Sequence, residues 1–281
     1  MINWYPGHMA KAKRKLEESL KLIDVVIELL DARIPMSSRN PDIDEILEDK
    51  KRIIALNKMD LADRKITKAW TKHLSQIAPT IAINSLNGQR VNLIINQAQN
   101  LMTKKLDKLV EQGRKKRDIR MMIVGVPNVG KSQLINQLSQ RGSTRTGNRP
   151  GVTRGQQWVK IRDGFELLDT PGILWPKFED EEVGFKLAAT GAIKEDIYDA
   201  ETIAYKLLKI LKVMIPDTLE DRFNLDYVSN DTLTLMEDIG RKRGCLMTGG
   251  KVDRERTGNI ILQEFRKGEL GRVSLELPED R

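Results

Sequence analysis

An α/β fold, in which a parallel sheet is wrapped by helices and followed by a small helical domain, is what this 281-residue chain predicts. Three observations carry that expectation. Short apolar runs alternate with helical periodicity through the first 175 residues, the pattern of repeated strand and helix units. A glycine-rich turn at 125–132 lies between an apolar run and an apolar helix, the context in which such a turn cradles phosphate. From residue 181 onward the apolar residues keep helical spacing.

In chain order, an N-terminal segment of residues 1–22 opens with Trp4-Tyr5-Pro6-Gly7-His8-Met9 and turns helical, with Met9, Ala12, Leu16 and Leu20 at helical spacing. Residues 23–30 are a β-branched apolar run ending in Asp31-Ala32-Arg33, as a buried parallel strand would. A short helix is expected over 41–47, with Asn40 as N-cap and Pro41 at its first position. A second strand over 52–56 leads into Asn57-Lys58-Met59-Asp60. Next come a helix over 62–77, a strand over 80–83, Asn84-Ser85 and a helix over 91–109. The apolar run from Ile119 enters the glycine-rich turn, and a strand over 165–168 runs into Asp169-Thr170-Pro171-Gly172. Helices over 183–192, 199–214, 232–242 and 260–267 fill the tail, separated at Pro216-Asp217 and Gly249-Gly250.

Composition bounds the function. With 40% hydrophobic and 31% charged residues the chain reads as soluble and globular. A single cysteine, Cys245, excludes an internal disulfide and a zinc framework, which fits a reducing cytoplasm. No apolar run approaches the roughly 20 residues that span a bilayer, and the N-terminus lacks a signal peptide's apolar core. A cytoplasmic protein without membrane attachment is therefore expected. The net charge of +8 is uneven: the first 175 residues hold 31 basic against 18 acidic residues, the remainder 17 against 22. Basic runs at 11–21, 104–120, 141–154 and 241–272 fit either a solvated surface or phosphate contacts, and together they favour a nucleic-acid partner. In the tail the candidates are Arg241, Lys242, Arg243, Lys251, Arg254 and Arg256; without an aromatic platform nearby, they would read folded RNA through phosphates and shape.

The turn reads Gly125-Val126-Pro127-Asn128-Val129-Gly130-Lys131-Ser132. Its glycines free backbone N–H groups to meet phosphate at a helix N-terminus, Lys131 adds a cation near the outer phosphates, and the Ser132 hydroxyl suits magnesium. Asn128, Val129, Gly130, Lys131, Ser132 and the Gln133 N–H form this grip on a nucleoside triphosphate. Asp60 can accept from two adjacent ring donors, which guanine offers and adenine does not, while Asn57 and Lys58 order the pocket. Asn84 and Ser85 suit a second loop on the base edge. Thr153 can complete magnesium coordination, Asp169 can hold a magnesium-bound water, and the Gly172 N–H can reach the γ-phosphate.

Together these residues resemble the five GTP-binding motifs of translation-factor-class GTPases in rotated order, with 57–60 and 84–85 ahead of 125–132, 153 and 169–172. That order, the Trp-Tyr-Pro-Gly-His-Met start and the tail make the whole chain similar to the ribosome biogenesis GTPase A (YlqF) family of circularly permuted GTPases. The resemblance implies a six-stranded, mostly parallel GTPase domain over 23–175 and a helical domain over 176–281 similar to ANTAR RNA-binding modules. It further implies a monomer that binds GTP and GDP and acts late in large-subunit assembly, on rRNA and ribosomal proteins. Ile173 stands where Ras-type GTPases place a water-orienting Gln. His8 is the family's substitute, and Asn128 is the residue that would hold potassium beside the β- and γ-phosphates. Two other functions stay open on the residues: an RNA-binding scaffold with GTP as a folding ligand, and a signalling GTPase acting on a protein.

Overall fold

A computed structural model describes residues 14, 16–113, 117–140, 157–162, 164–169 and 180–278, with Leu109, Gln140, Gln157 and Asp169 as backbone only. Six strands form one sheet: β1 (Val25–Asp31), β2 (Lys51–Asn57), β3 (Thr80–Ala82), β4 (Ile119–Val124), β5 (Gln157–Arg162) and β6 (Phe165–Asp169), in the order β3-β2-β1-β4-β6-β5. All neighbours are parallel except β5 and β6. From β1 the chain builds outward through β2 and β3, then returns to lay β4 on the other side of β1. Strand order therefore reverses between β1 and β4, and ligands of open α/β sheets bind at the carboxyl ends of strands beside such a switch point.

Between the strands lie α1 (Ile43–Leu47), α2 (Arg64–Leu74), α3 (Asn92–Glu111) and α4 (Lys131–Gln140). Every residue of β1 is buried, as a strand covered on both faces requires. One apolar cluster packs Leu16, Leu20, Ile43 and Leu47 onto Val26, Met122, Val124 and Leu168. Another packs Trp70 and Leu74 of α2 onto Leu30, Ile54 and Leu56. Helix α1 starts later than expected, with Asp42 as N-cap. The Asn40 side chain instead accepts from the Asp42 N–H at 2.8 Å, closing a turn ahead of the helix.

Buried β1 carries two acids, Glu28 and Asp31, and Asp24 stands immediately before it; each has basic partners. Asp24 is clasped by Arg117 at 2.6 and 2.8 Å and accepts from the Arg120 N–H at 3.1 Å. Glu28 meets Arg39 at 3.1 Å and Arg52 at 3.2 Å, and Asp31 meets Arg33 at 2.7 Å and Lys58 at 3.0 Å. Burial pushes the Asp24 carboxyl up, but Arg117 and the Arg120 amide outweigh it and hold it below its ordinary value.

The second unit comprises residues 180–273: α5 (Glu181–Ala189), a 3₁₀ turn (Glu195–Ile197), α6 (Ala200–Met214), α7 (Pro216–Phe223), α8 (Thr232–Lys242) and α9 (Arg254–Lys267). Asp180, Asp199, Asp231 and Asp253 cap α5, α6, α8 and α9 by accepting from a backbone N–H in the first turn, each contributing about 1 kcal/mol. Pro216 starts α7 instead of merely separating helices, because its missing N–H is one a first turn leaves unbonded anyway. Nor does the helical domain run to 281 as expected. Residues from 274 group with the nucleotide unit, to which they are hydrogen-bonded.

The Arg117 clasp ties the segment joining the two rotated halves to the foot of β1. Arg117→Ala should lower the free energy of urea unfolding by about 1–2 kcal/mol, the lower part of the range for a buried carboxylate losing a charged partner because Arg117 is itself 44% exposed. Lys105, at 3.5 Å and 61% exposed, should cost less than about 0.5 kcal/mol on truncation to alanine.

Candidate nucleotide-binding site

The Asn57 side chain joins three segments that lie far apart in sequence. Its Nδ2 donates to the Ser85 Oγ at 2.8 Å and to the Val129 carbonyl at 2.7 Å, while its Oδ1 accepts from the Ser85 N–H at 2.9 Å. All three contacts are buried. Thus the 57–60 loop after β2, the 84–85 loop after β3 and the turn after β4 meet at the carboxyl ends of parallel strands of one sheet, with β1 lying between β2 and β4. Gln137 of α4 adds a link by donating to the Leu86 carbonyl at 3.1 Å.

Two glycines make this approach possible. At Gly130 (φ 108°) a Cβ would stand 2.3 Å from Asn57 Nδ2 and 3.0 Å from Ser85 Oγ, and at Gly125 it would stand 2.5 Å from the Leu29 carbonyl oxygen. A side chain at Gly130 would press on the Asn57 junction, and one at Gly125 on the β1 backbone. Asn128, at φ 56°, takes the left-handed conformation that asparagine tolerates, and it is exposed at the tip of the turn.

Lys58 also lies in the left-handed region, at φ 60°, where its ammonium reaches Asp31 at 3.0 Å. Burial lowers the Lys58 pKa and Asp31 opposes that. Burial raises that of Asp31, but Arg33 and Lys58 outweigh it, so the carboxylate is held well below its ordinary range. The cluster fixes the loop leading to Asp60. Asp31 and Arg33 are supporting residues that the sequence showed only as polar groups closing a buried strand. Asn84 orders its own loop, accepting from the Leu86 N–H at 2.8 Å and the Asn87 N–H at 3.2 Å in an Asx turn.

Lys131 opens α4, and its Nζ donates to the Gly125 and Val126 carbonyls at 2.8 and 2.6 Å. Burial lowers its pKa to about 8. Ser132 and Gln133 follow in the first turn, both exposed. A hydroxyl at a helix N-terminus is a hard oxygen donor that fits magnesium, which takes few protein ligands and completes its shell with phosphate and water. The exposed Asn128 amide is likewise an oxygen donor suited to a potassium ion. His8, Thr153 and Gly172, and the Asp169 side chain, lie outside the described residues.

The six basic residues expected to meet RNA are largely engaged within their own unit. Arg241 pairs with Glu237 and Asp238, Arg254 with Glu237 at 2.5 Å, and Arg243 with Glu264 at 2.8 Å while lying over Phe223 at 5.0 Å. Lys242 is 3.8 Å from the exposed Asp226. Among the described residues Lys251 and Arg256 form no ion pair, and both are exposed. Arg241, Lys251 and Arg254 do share a surface cleft of about 630 Å³, but Glu201, Glu237, Asp253 and Glu255 line it too. The cleft is not a basic patch.

A family model described as a 50S ribosome-binding GTPase matches residues 120–215, beginning in β4 and leaving out the loops at 57–60 and 84–85. Over its full length the chain is 52% identical to ribosome biogenesis GTPase A of Bacillus licheniformis, covering 99% of that protein. Among solved structures, a GDP-bound TM YlqF superposes with a TM-score of 0.69 at 29% identity, over 95% of this chain and 100% of that one. A GNP-bound YlqF from T. maritima gives 0.67 at 30% identity, over 96% and 100%.

Because the folded chain holds the Lys131 proton less tightly than the ordinary value of 10.5, a phosphate that needs the ammonium must restore that proton above pH 8. GDP affinity should therefore be level below about pH 8 and weaken as pH rises beyond it, toward tenfold per unit for one proton. Calorimetric titration between pH 7 and 10 checks this, and Lys131→Arg, whose guanidinium does not titrate there, should remove the onset at 8.

Proposed function

Because this chain belongs to the ribosome biogenesis GTPase A family and is a GTP hydrolase acting in ribosome biogenesis, we propose that it binds the large-subunit precursor and couples GTP hydrolysis to a late step of its assembly. The particle stimulates hydrolysis. The observation that carries the nucleotide reading is the Asn57 junction, which brings guanine-type loops and a phosphate loop into one pocket. The large-subunit destination is supported by the 50S description of the matching family model.

In this reading Asp60 selects guanine, with Asn57, Lys58, Asn84 and Ser85 shaping its surroundings. The backbone N–H groups of residues 129–133 and the Lys131 ammonium grip the phosphates, and Gly172 senses the γ-phosphate. Ser132 and Thr153 would hold magnesium, with Asp169 acting through water, and Asn128 would hold potassium; these cations neutralise charge that develops on the transferred phosphoryl group. Ile173 carries no polar atom to orient water. His8, on the segment of residues 1–22, supplies that contact, and its engagement on the particle accounts for stimulation. Residues 23–175 hold the nucleotide while the helical unit, residues 180–273, reaches rRNA, with Lys251 and Arg256 among its exposed cations. The protein works as a monomer in the cytoplasm; among the described residues no helix is long and apolar enough to cross a membrane.

Sedimentation with ribosomal subunits should show the chain on large-subunit particles with a non-hydrolysable GTP analogue and released with GDP. Binding should fall steeply between 50 and 200 mM salt, as phosphate contacts demand. Equal retention in both nucleotides would remove the coupling, and weak salt dependence would favour a protein partner. In single-turnover assays on the particle, His8→Ala should slow hydrolysis by about 10²-fold or more, and an unchanged rate would remove His8 from the mechanism.

A further inference from the structure

The last residues described, 274–278, are bound to the nucleotide unit by directional polar contacts. The Leu275 N–H donates to the Arg33 carbonyl at 2.9 Å, and the Ser274 Oγ accepts from the Asp63 N–H at 3.2 Å. Trp70 Nε1–H donates to the Glu276 carbonyl at 3.0 Å. The Glu276 carboxylate accepts from the N–H groups of Met36 and Ser37, at 2.8 and 3.1 Å, and from the Ser37 hydroxyl. Ser274 is 3% exposed and Leu275 half-buried, whereas Leu277 is 68% exposed, so polar contacts more than buried apolar surface hold this stretch in place.

Its anchors bracket the loop assigned to guanine. Arg33 holds Asp31, and Asp31 holds Lys58. On the other side, Asp63 follows Asp60 by three residues and caps α2 through the Ile66 N–H at 2.9 Å. Loop 58–63 is thus fixed at its start by the Asp31 cluster and at its end by Asp63, and the tail touches both supports. Hydrogen bonds gained by docking are offset by the entropy of ordering five residues, two contributions of similar size. A segment in such balance responds to small changes in the loop it contacts.

We propose that residues 274–278 act as a strap that holds the Lys58–Asp63 loop in its guanine-reading geometry, with Ser274 and Glu276 as positioning residues for base selectivity. The proposal rests on the assignment of Asp60 to guanine. By linkage, a strap that favours guanine binding is itself tightened by guanine, so the tail of the chain reports on base occupancy.

Competition against a fluorescent GDP, with GDP and with inosine diphosphate, tests this on the full chain. Inosine lacks the exocyclic amino group that Asp60 would bind. Glu276→Ala should weaken GDP about 3- to 10-fold and inosine diphosphate less than about 2-fold, contracting the preference for guanine, while Leu277→Ala leaves both unchanged. Ser274→Ala, which removes one oxygen, should act in the same direction to a smaller extent and serves if the first variant does not fold. GDP should also slow hydrogen exchange at the Leu275 amide more than inosine diphosphate does. Equal weakening of both nucleotides, or an unaltered preference in both strap variants, overturns the strap. A wild-type chain that does not prefer GDP to inosine diphosphate overturns the guanine assignment first, and the strap with it.

Discussion

The side-chain amide of Asn57 is the contact that holds three strand-end loops together, and the proposed nucleotide site depends on it. It donates to Ser85 and Val129 and accepts from Ser85, so one group fixes the spacing of three loops that enter from three strands. An amide is suited to this because it offers donor and acceptor on one rigid plane. Removing it would strand a buried carbonyl and a buried N–H, a penalty of about 1–3 kcal/mol for each group left unbonded. The junction also explains why rotation of the chain order does no harm. Loops at the same ends of parallel strands in one sheet come close whichever is synthesised first, and the junction needs their proximity, not their sequence.

What rotation does change is where the chain must be joined, and the buried carboxylates in and just before β1 bear on that. Asp24 receives the join through Arg117, Glu28 receives Arg39 and Arg52 from flanking segments, and Asp31 receives Arg33 and Lys58 at the pocket end. Ion pairs buried this deeply contribute little net stability, because desolvation offsets attraction, while breaking one by removing a partner is strongly unfavourable. Their effect is to fix position. The central strand is pinned at its foot, middle and head, and the head is the end that supports the guanine loop.

Strands that bury both faces, such as β1 and β2, were legible because an apolar run of that length between turn residues has few other uses. The turn between β4 and α4 and the loop that follows β2 likewise lie where the alternation of apolar runs and helical spacing places them. β5 was not legible: Gln157, Lys160 and Arg162 interrupt its apolar residues, as an antiparallel edge strand permits. The first turns of α9 were hidden by Arg254, Glu255 and Gly258, since helical spacing begins to show only where residues face the unit's interior. Asp31, Arg33 and Glu276 carry no local signal at all. Asp31 meets Lys58, and Glu276 meets Met36 and Ser37, across long stretches of sequence, and such pairings do not appear in periodicity or composition.

The same limit governs the reading of charge. Counting gave the tail nine basic against four acidic residues over 241–272, but Arg241, Arg243 and Arg254 each already meet a carboxylate of their own unit. An arginine so engaged can approach a phosphate only by sharing or exchanging its partner, which reduces the gain from counterion release. From residue 176 onward acidic residues outnumber basic ones by five, and before it basic residues exceed acidic by thirteen. The long-range field that attracts anions therefore originates in the part of the chain that carries the Asn57 junction, and the helical unit, its arginines engaged by its own carboxylates, adds little to it.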